Sequence, residues 1–442
     1  MYDVLFLGSG QGAWNAAVPL GKAGLKVAVV EEDRFGGVCT NRGCNAKITL
    51  DKPVELVHTI EQLQGRGFDT VPKINWPDLM AHKHEVIDGL AAGIQQRLVA
   101  AGVEIIEGHG TFKDARTIQV GEQTVTAKKI VIVSGQRPHQ LKIPGQELMH
   151  NSTDFLVIPE MPAHITLIGA GYVAMETASI ANAAGAKVDI VLRGHQPLRE
   201  FYQPYVQRLI NNMRNRGIKF YYDETITAVV KKGTQLELLG TDGFSLQSDY
   251  IVDATGRVPN VEKLNLAAVG IDYSENGIIV NDHLETNVAG VYATGDVVAK
   301  KLAKITPTAI FEAQYLVALF TQKTEAAINY PPIATTVFTS PRVARAGISP
   351  TTAKQQPETY SIEVVDYEND WFHQVQNETD GSLTLVFDRK TDRLVGATEY
   401  SNEAVDTING LLDYMELGVT KAQLQRLIYI FPSTQHSYMR KI

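Results

Sequence analysis

Cysteine is nearly absent from this chain: 442 residues hold two. Two cysteines without a neighbouring histidine cluster leave a zinc site unfinished, since such a site takes about four ligands. A disulfide-stapled secreted fold would carry more of them. An excess of basic residues is also missing. Lys and Arg number 41 against 49 Asp and Glu, a formal charge of -8, which disfavours a nucleic-acid partner. No run reaches the about 18 apolar residues of a membrane span. No charged-then-apolar signal segment opens the chain, which runs at once into the strand-like Asp3-Val4-Leu5-Phe6-Leu7. The expectation is a cytoplasmic protein in a reducing compartment, with neither nucleic acid nor membrane as partner. The length allows roughly three domains of about 150 residues each. No low-complexity tract interrupts it.

The two cysteines, Cys39 and Cys44, are separated by four residues in Gly36-Gly37-Val38-Cys39-Thr40-Asn41-Arg42-Gly43-Cys44-Asn45-Ala46-Lys47. A disulfide across so short a ring has strained geometry, and strained or exposed disulfides are the reducible ones. Spacing alone leaves two readings, a redox pair or two thiols that merely pack.

Two strand-loop-helix openings of one kind follow. The first is Gly8-Ser9-Gly10-Gln11-Gly12-Ala13, followed by a small-residue helix and a strand from Lys26 to Val30 ending in Glu31. Gly8 and Gly10 permit a tight turn and close backbone approach to a pyrophosphate, Ala13 fills a small position, and the helix start supplies N–H donors and dipole. Glu31, about 20 residues on, stands where an acid accepts from ribose hydroxyls. The second opening is Gly169-Ala170-Gly171-Tyr172-Val173-Ala174-Met175-Glu176, with its next strand at Lys187–Leu192. Arg193 then replaces the acid, and Arg199 follows. Guanidinium groups match phosphate geometry, so NADPH is expected over NADH; the plainer alternative is that both arginines solvate a helix start. His195 shares that polar turn and has no assigned role.

The segment from Gly36 to Lys47, with the glycine loop before it, resembles the class I pyridine nucleotide-disulfide oxidoreductases, the group that includes glutathione reductase, dihydrolipoamide dehydrogenase and mercuric reductase. Ala46 departs from the family's proline, and Arg42 adds a charge between the thiols. The resemblance implies that Cys39 attacks the substrate disulfide and that Cys44 lies against the flavin. It pairs Lys47 with Glu176 beside the flavin and makes Tyr172 a cover over it. Ile251-Val252-Asp253-Ala254-Thr255-Gly256-Arg257 resembles the family's glycine turn that closes the nucleotide domain. Thr286–Asp296 resembles its second FAD fingerprint, with Gly295 and Asp296 at the ribityl and pyrophosphate region. Gly37 and Gly256 join the cofactor-binding set on the same ground. Ile305-Thr306-Pro307-Thr308-Ala309 resembles the start of the helix beneath the flavin ring. Arg42 has two readings: it favours the Cys39 thiolate, or it pairs with a surface acid.

The likeness fails at the C terminus. Where the family has His-Pro-Thr and then a glutamate, this chain has Phe431-Pro432-Ser433-Thr434-Gln435-His436. Phe431 carries no proton. His436 falls near the glutamate position, as a displaced base, a cation that lowers a cysteine pKa, or a tail residue. Mercuric reductases share Phe-Pro, but their C-terminal cysteine pair is missing here and Ser433 replaces their tyrosine. Tyr438 is a further candidate acid.

The expected fold is α/β: two doubly wound, Rossmann-like nucleotide-binding domains plus a C-terminal α+β dimerisation domain. The expected boundaries are 1–145 with 255–328 for FAD, 146–254 for NAD(P)H, and 329–442 for the interface domain. The expected activity is a homodimeric, FAD-dependent, NADPH-preferring thiol-disulfide reductase. Hydride passes through FAD to the Cys39–Cys44 disulfide and on to a small disulfide, near Phe431 and His436 of the partner subunit. The alternatives are reduction of Hg(II), Cu(II) or a quinone by the same pair, or a flavin-bearing redox sensor with negligible turnover. No metal site is expected.

Overall fold

The apolar run Val27-Ala28-Val29-Val30 is buried along its whole length, the pattern of a strand covered on both faces in a parallel sheet. In the computed structural model, which describes residues 1–440, the strand is Val27–Glu31. It begins one residue later than the sequence pattern predicts because the Lys26 N–H is taken by the Asp3 carboxylate at 2.9 Å. Tyr2–Leu7 pairs in parallel with it and, on its other side, with Gln123–Ile132; Glu104–Glu107 extends the parallel edge. Val291–Ala293 joins Gln123–Ile132 in parallel, whereas Thr117–Val120 and Gly110–Asp114 add an antiparallel flap.

These strands belong to a unit built from Met1–Thr49, Met80–His139 and Gly256–Asn329. One core of the unit packs Ala13, Ala16, Ala17 and Leu20 of the Gln11–Lys22 helix with Ala313, Leu316 and Phe320 of the Thr306–Phe320 helix. The alanine face lets the two helix axes approach closely, which brings the start of the second helix into the functional region.

The other unit comprises Leu50–Leu79, Gln140–Thr255 and Tyr330–Ile442. It holds a second parallel sheet, in the order Lys219–Tyr221, Lys187–Val191, His164–Ile168 and Tyr250–Asp253. A three-stranded antiparallel sheet over Ile226–Ser248 accompanies it. The same unit contains a five-stranded antiparallel sheet, ordered Thr335–Val337, Arg342–Gly347, Arg393–Ser401, Ser382–Asp388 and Tyr360–Asp366. Ala404, Ile408, Leu411 and Met415 recur at helical spacing and pack the Ala404–Glu416 helix onto that sheet. The helix stops where Gly418 takes a left-handed φ of +64°.

Candidate active site

The two glycine loops have nearly the same backbone. Gly8 has φ +102°, and a Cβ there would meet the Val133 carbonyl oxygen at 2.5 Å; Gly169 has φ +106° and would meet the Ala254 oxygen at the same distance. Only glycine fits both demands. The next glycines, Gly10 and Gly171, are extended residues heading the Gln11–Lys22 and Tyr172–Ala183 helices, and neither has a side-chain cap. A Cβ on either would meet nothing within 4 Å. Each helix thus opens its first N–H groups, with their share of the helix dipole, onto free space, which is the arrangement that receives a phosphate. Gly12, Ala13 and Ala174 are buried behind these openings, where small side chains keep helix and strand close.

Glu31 ends its strand half-buried. Its Oε2 accepts from the Ser9 N–H at 2.8 Å and the Ser9 hydroxyl at 2.6 Å, and its Oε1 accepts from the Asp33 N–H at 2.9 Å. The carboxylate therefore braces the first glycine loop as well as facing outward.

The cysteine segment is laid against that loop. Gly37, at φ +65°, leaves only 2.9 Å between its would-be Cβ and the Gly10 Cα. The Gly36 N–H donates to the Ser9 hydroxyl at 3.1 Å, and Gln11 reaches the buried Thr40 hydroxyl at 3.2 Å. Cys39 lies in the short Gly37–Arg42 helix and Cys44 opens the Cys44–Gln62 helix, a break made at Gly43. Cys39 is half-buried and Cys44 exposed, and both are thiols. The Cys44 sulfur lies 3.6 Å from the hydroxyl of Thr306, the first residue of the Thr306–Phe320 helix. The Cys39 thiol is held far above its ordinary value, first by its hydrogen bond with Cys44 and then by burial and the charge of Cys44; Thr306 pulls the other way. Of the coupled pair, Cys39 is the thiol that holds its proton.

Arg42 is turned to Asp33, with a guanidinium-to-carboxylate distance of 2.5 Å. Burial raises the Asp33 carboxyl, but the Arg42 hydrogen bond, the Arg34 N–H and the Arg42 charge outweigh it and leave the group below its usual range. The surface-acid reading of Arg42 is the one that matches this geometry.

Asp296 lies in the turn Gly295–Val297, where Gly295 has φ +78°. Burial raises its carboxyl above the ordinary value against the opposing charges of Arg257, Lys300 and Lys304. Gly256, at φ +143°, precedes that arginine in open space.

In the other unit the strand Lys187–Val191 leads into exposed Arg193 and Arg199. Their turn is stapled to the second glycine loop: the Leu198 N–H donates to the Ala170 carbonyl at 3.0 Å, with Leu198 buried at φ +46°. A guanidinium nitrogen of Arg199 would lie 3.2 Å from a Cβ on Gly194. His195 instead points its Nδ1 at Asp223, 3.7 Å away. Tyr172 is half-exposed at the head of its helix, whereas Glu176, one turn on, is buried and accepts from the Phe338 N–H at 2.9 Å. Lys47 belongs to the first unit, on the Cys44–Gln62 helix, where its N–H bonds Gly43 O at 2.9 Å.

Phe431 and His436 line a recess of about 270 Å³ with Trp371, Phe372, Ser433 and Arg440. Phe431 stacks on Trp371 with centroids 5.9 Å apart and meets the His436 ring edge-on at 5.0 Å. Ser433 caps the Thr434–Met439 helix by accepting from the His436 N–H at 3.1 Å. Tyr438 is a core residue, 1 % exposed, its phenol raised by burial and by the charge of Glu399. That removes it as a proton donor at the surface. Sequence reasoning missed Trp371 and the bracing of the Asp296 turn by Glu312, because neither residue stands in a motif. Among the described residues no cluster of His, Cys, Asp and Glu could hold a metal, and no helix is long and apolar enough to cross a membrane.

Residues 2–313 match the family described as pyridine nucleotide-disulphide oxidoreductase, and residues 333–441 match its dimerisation domain. The chain is 30 % identical to a glutathione reductase of Nostoc sp. over 457 residues, covering 99 % of this chain and 98 % of that protein. It is 28 % identical to a mercuric reductase of Lysinibacillus sphaericus over 436 residues, covering 96 % and 79 %. In structure it resembles the HOCl-induced flavoprotein disulfide reductase RclA of Escherichia coli in its Cu(II) complex, with a TM-score of 0.90 and 22 % identity over 100 % of this chain and 98 % of that one. The paired nucleotide loops, the cysteine segment and a dimerisation domain stand in one chain with these matches. The protein belongs to the pyridine nucleotide-disulphide oxidoreductase family, flavoprotein oxidoreductases that act on sulfur groups and depend on FAD and a pyridine nucleotide.

Proposed function

We propose that this chain is a homodimeric, NADPH-dependent disulfide reductase in which Cys39 and Cys44 cycle between disulfide and dithiol to reduce a small disulfide. The observation that carries the reading is the thiol pair itself, laid on the first glycine loop and touched by Thr306 at a helix start. The donor set fits FAD: an uncapped helix end at Gly10, Glu31 at the strand end and partly buried Asp296 suit a pyrophosphate, a ribose and the ribityl hydroxyls. When bound, FAD relays an electron pair from the nicotinamide to the cysteines. The second loop, with Gly169 and Gly171, takes the pyridine nucleotide, and Arg193 and Arg199 take its 2′-phosphate.

The residues then have distinct tasks. Cys39 loses its firmly held proton as it attacks one sulfur of the substrate disulfide, expelling a thiolate that takes up a proton and forming a mixed disulfide. Cys44, favoured as the second thiolate by the Thr306 hydroxyl and the helix start, attacks Cys39 and releases the second product thiol. One disulfide and two protons become two thiols, while the pair is oxidised. Phe431 cannot supply the first of those protons, and His436 of the partner subunit is the replacement donor within the dimer.

The Phe431 substitution also supports a second acceptor class. A soft metal ion needs two thiolates more than it needs an acid. Anaerobic NADPH oxidation with glutathione disulfide, against Hg(II), Cu(II) and a quinone, separates the readings. Rapid turnover with the disulfide, lost in Cys39→Ser, supports the disulfide reductase. Turnover only with a metal ion or quinone contradicts it, and steady turnover with any acceptor rules out the sensor.

A further inference from the structure

The Thr306–Phe320 helix carries a wholly buried carboxylate, Glu312, that the chemistry above does not use. Its Oε2 accepts from the Thr294 hydroxyl at 2.8 Å and the Gly295 N–H at 2.6 Å. Its Oε1 accepts from the ammonium of Lys300, whose side chain is 9 % exposed. Lys304 holds the other side of the same turn, donating to the carbonyls of Asp296 at 3.1 Å and Asn276 at 2.9 Å. The turn that bears Asp296 is thus clamped by a buried ion pair on one side and a lysine on the other. A buried ion pair is a poor source of stability, since desolvation of both charges offsets their attraction. Positioning explains this one better.

We propose that Lys300 and Glu312 are positioning residues for FAD, acting through Asp296: Glu312 fixes the backbone of the Thr294–Asp296 turn, and Lys300 cancels the charge that Glu312 would otherwise place beside Asp296. The inference rests on the FAD reading of the first unit. The charged and titratable groups facing Asp296 are Arg257, Lys300, Lys304, Glu312 and the Cys39 thiol. The first three favour its carboxylate and Glu312 opposes it, on top of burial. Only the carboxylate accepts from a hydroxyl without also donating a proton.

The test is FAD binding by the full-length apoprotein as a function of pH, read from flavin fluorescence, with the apoprotein melting temperature measured alongside. In Lys300→Met the unopposed Glu312 charge raises the Asp296 carboxyl further. FAD affinity falls about tenfold or more at neutral pH, and the pH at which FAD is released on acidification moves up. In Glu312→Gln the amide still accepts from the turn while Lys300 stays charged, so the release pH moves down. Lys300→Arg restores wild-type behaviour. A merely structural pair would lower the melting temperature in both variants and shift the release pH the same way or not at all, and that result overturns the proposal. If Lys300→Met does not fold, an unchanged or raised release pH in Glu312→Gln overturns it alone. Failure of the wild-type apoprotein to bind FAD would instead contradict the FAD reading on which the inference stands.

Discussion

The Cys44 sulfur and the Thr306 hydroxyl, 262 residues apart in sequence, lie 3.6 Å apart at the start of a helix whose face is packed against the first glycine-loop helix. A hydroxyl and a helix start both favour a thiolate over a thiol. Thr306→Val keeps the shape and removes the donor. The pH midpoint of thiol alkylation in the reduced protein should rise. Iodoacetamide kinetics against pH checks this, and an unmoved midpoint contradicts it.

Arg42→Ala should leave that alkylation profile unchanged, because the guanidinium is engaged by Asp33. The stability cost should stay under about 1 kcal/mol, since both side chains are more than a third exposed and screened by solvent. Asp33 has a lowered folded-state pKa, so its contribution is present above the unfolded carboxyl value and is lost as pH falls through the folded one. Urea melts should therefore separate variant from wild type at pH 7 and draw them together progressively as pH falls below about 4.

Gly8 and Gly10 should fail in different ways. Gly8→Ala places a Cβ 2.5 Å from a carbonyl oxygen at φ +102°, and the protein should lose stability. Gly10→Val meets open space at an ordinary φ of −61°, so folding should persist while FAD is not retained. Melting temperature and flavin absorbance after desalting tell the two apart.

Much of this site was legible because glycine loops and the cysteine segment are local: a few adjacent residues set φ, exposure and helix start together. The contact of Thr306 with Cys44 was half-legible, since the helix start could be placed but not the sulfur beside it. The Lys300–Glu312 clamp and the Trp371–Phe431 stack were not legible, because they join residues that no periodicity connects. Tyr438 was read as a candidate acid and is core, since a helix of six residues gives too little periodicity from which to read burial.

Arg199 follows Leu198, whose N–H bonds the Ala170 carbonyl of the second glycine loop, and Arg193 follows the strand whose Val191 carbonyl accepts from the Gly169 N–H at 2.8 Å. Replacing both with alanine should cut kcat/KM for NADPH by about 10–100-fold and leave NADH nearly unchanged, since charge-assisted bonds to a phosphate are worth about 1.5–3 kcal/mol. Equal losses with both nucleotides would contradict the assignment of the 2′-phosphate.

Glu399 is fully buried against Tyr367, which donates at 2.8 Å, and Ser401, which donates at 2.6 Å. Burial pushes its carboxyl up to about 7 against those bonds and that of Thr407, and Glu403 adds to the rise. A folded pKa above the unfolded one means the native state holds the extra proton, so stability falls as pH rises from about 4.5 to about 7 and then levels off. Glu399→Gln should flatten that decline between pH 5 and pH 8, as read by melting temperature. A decline as steep as that of the wild type would contradict it.

The most direct test of the redox role of Cys39 and Cys44 is a count of alkylatable thiols in the oxidised flavoprotein before and after one equivalent of NADPH under anaerobic conditions, with the labelled residues located by mass spectrometry. Both cysteines are expected to be protected before NADPH and labelled after it, with no change in a Cys44→Ser variant. Reduction of the flavin with no newly labelled cysteine would contradict it.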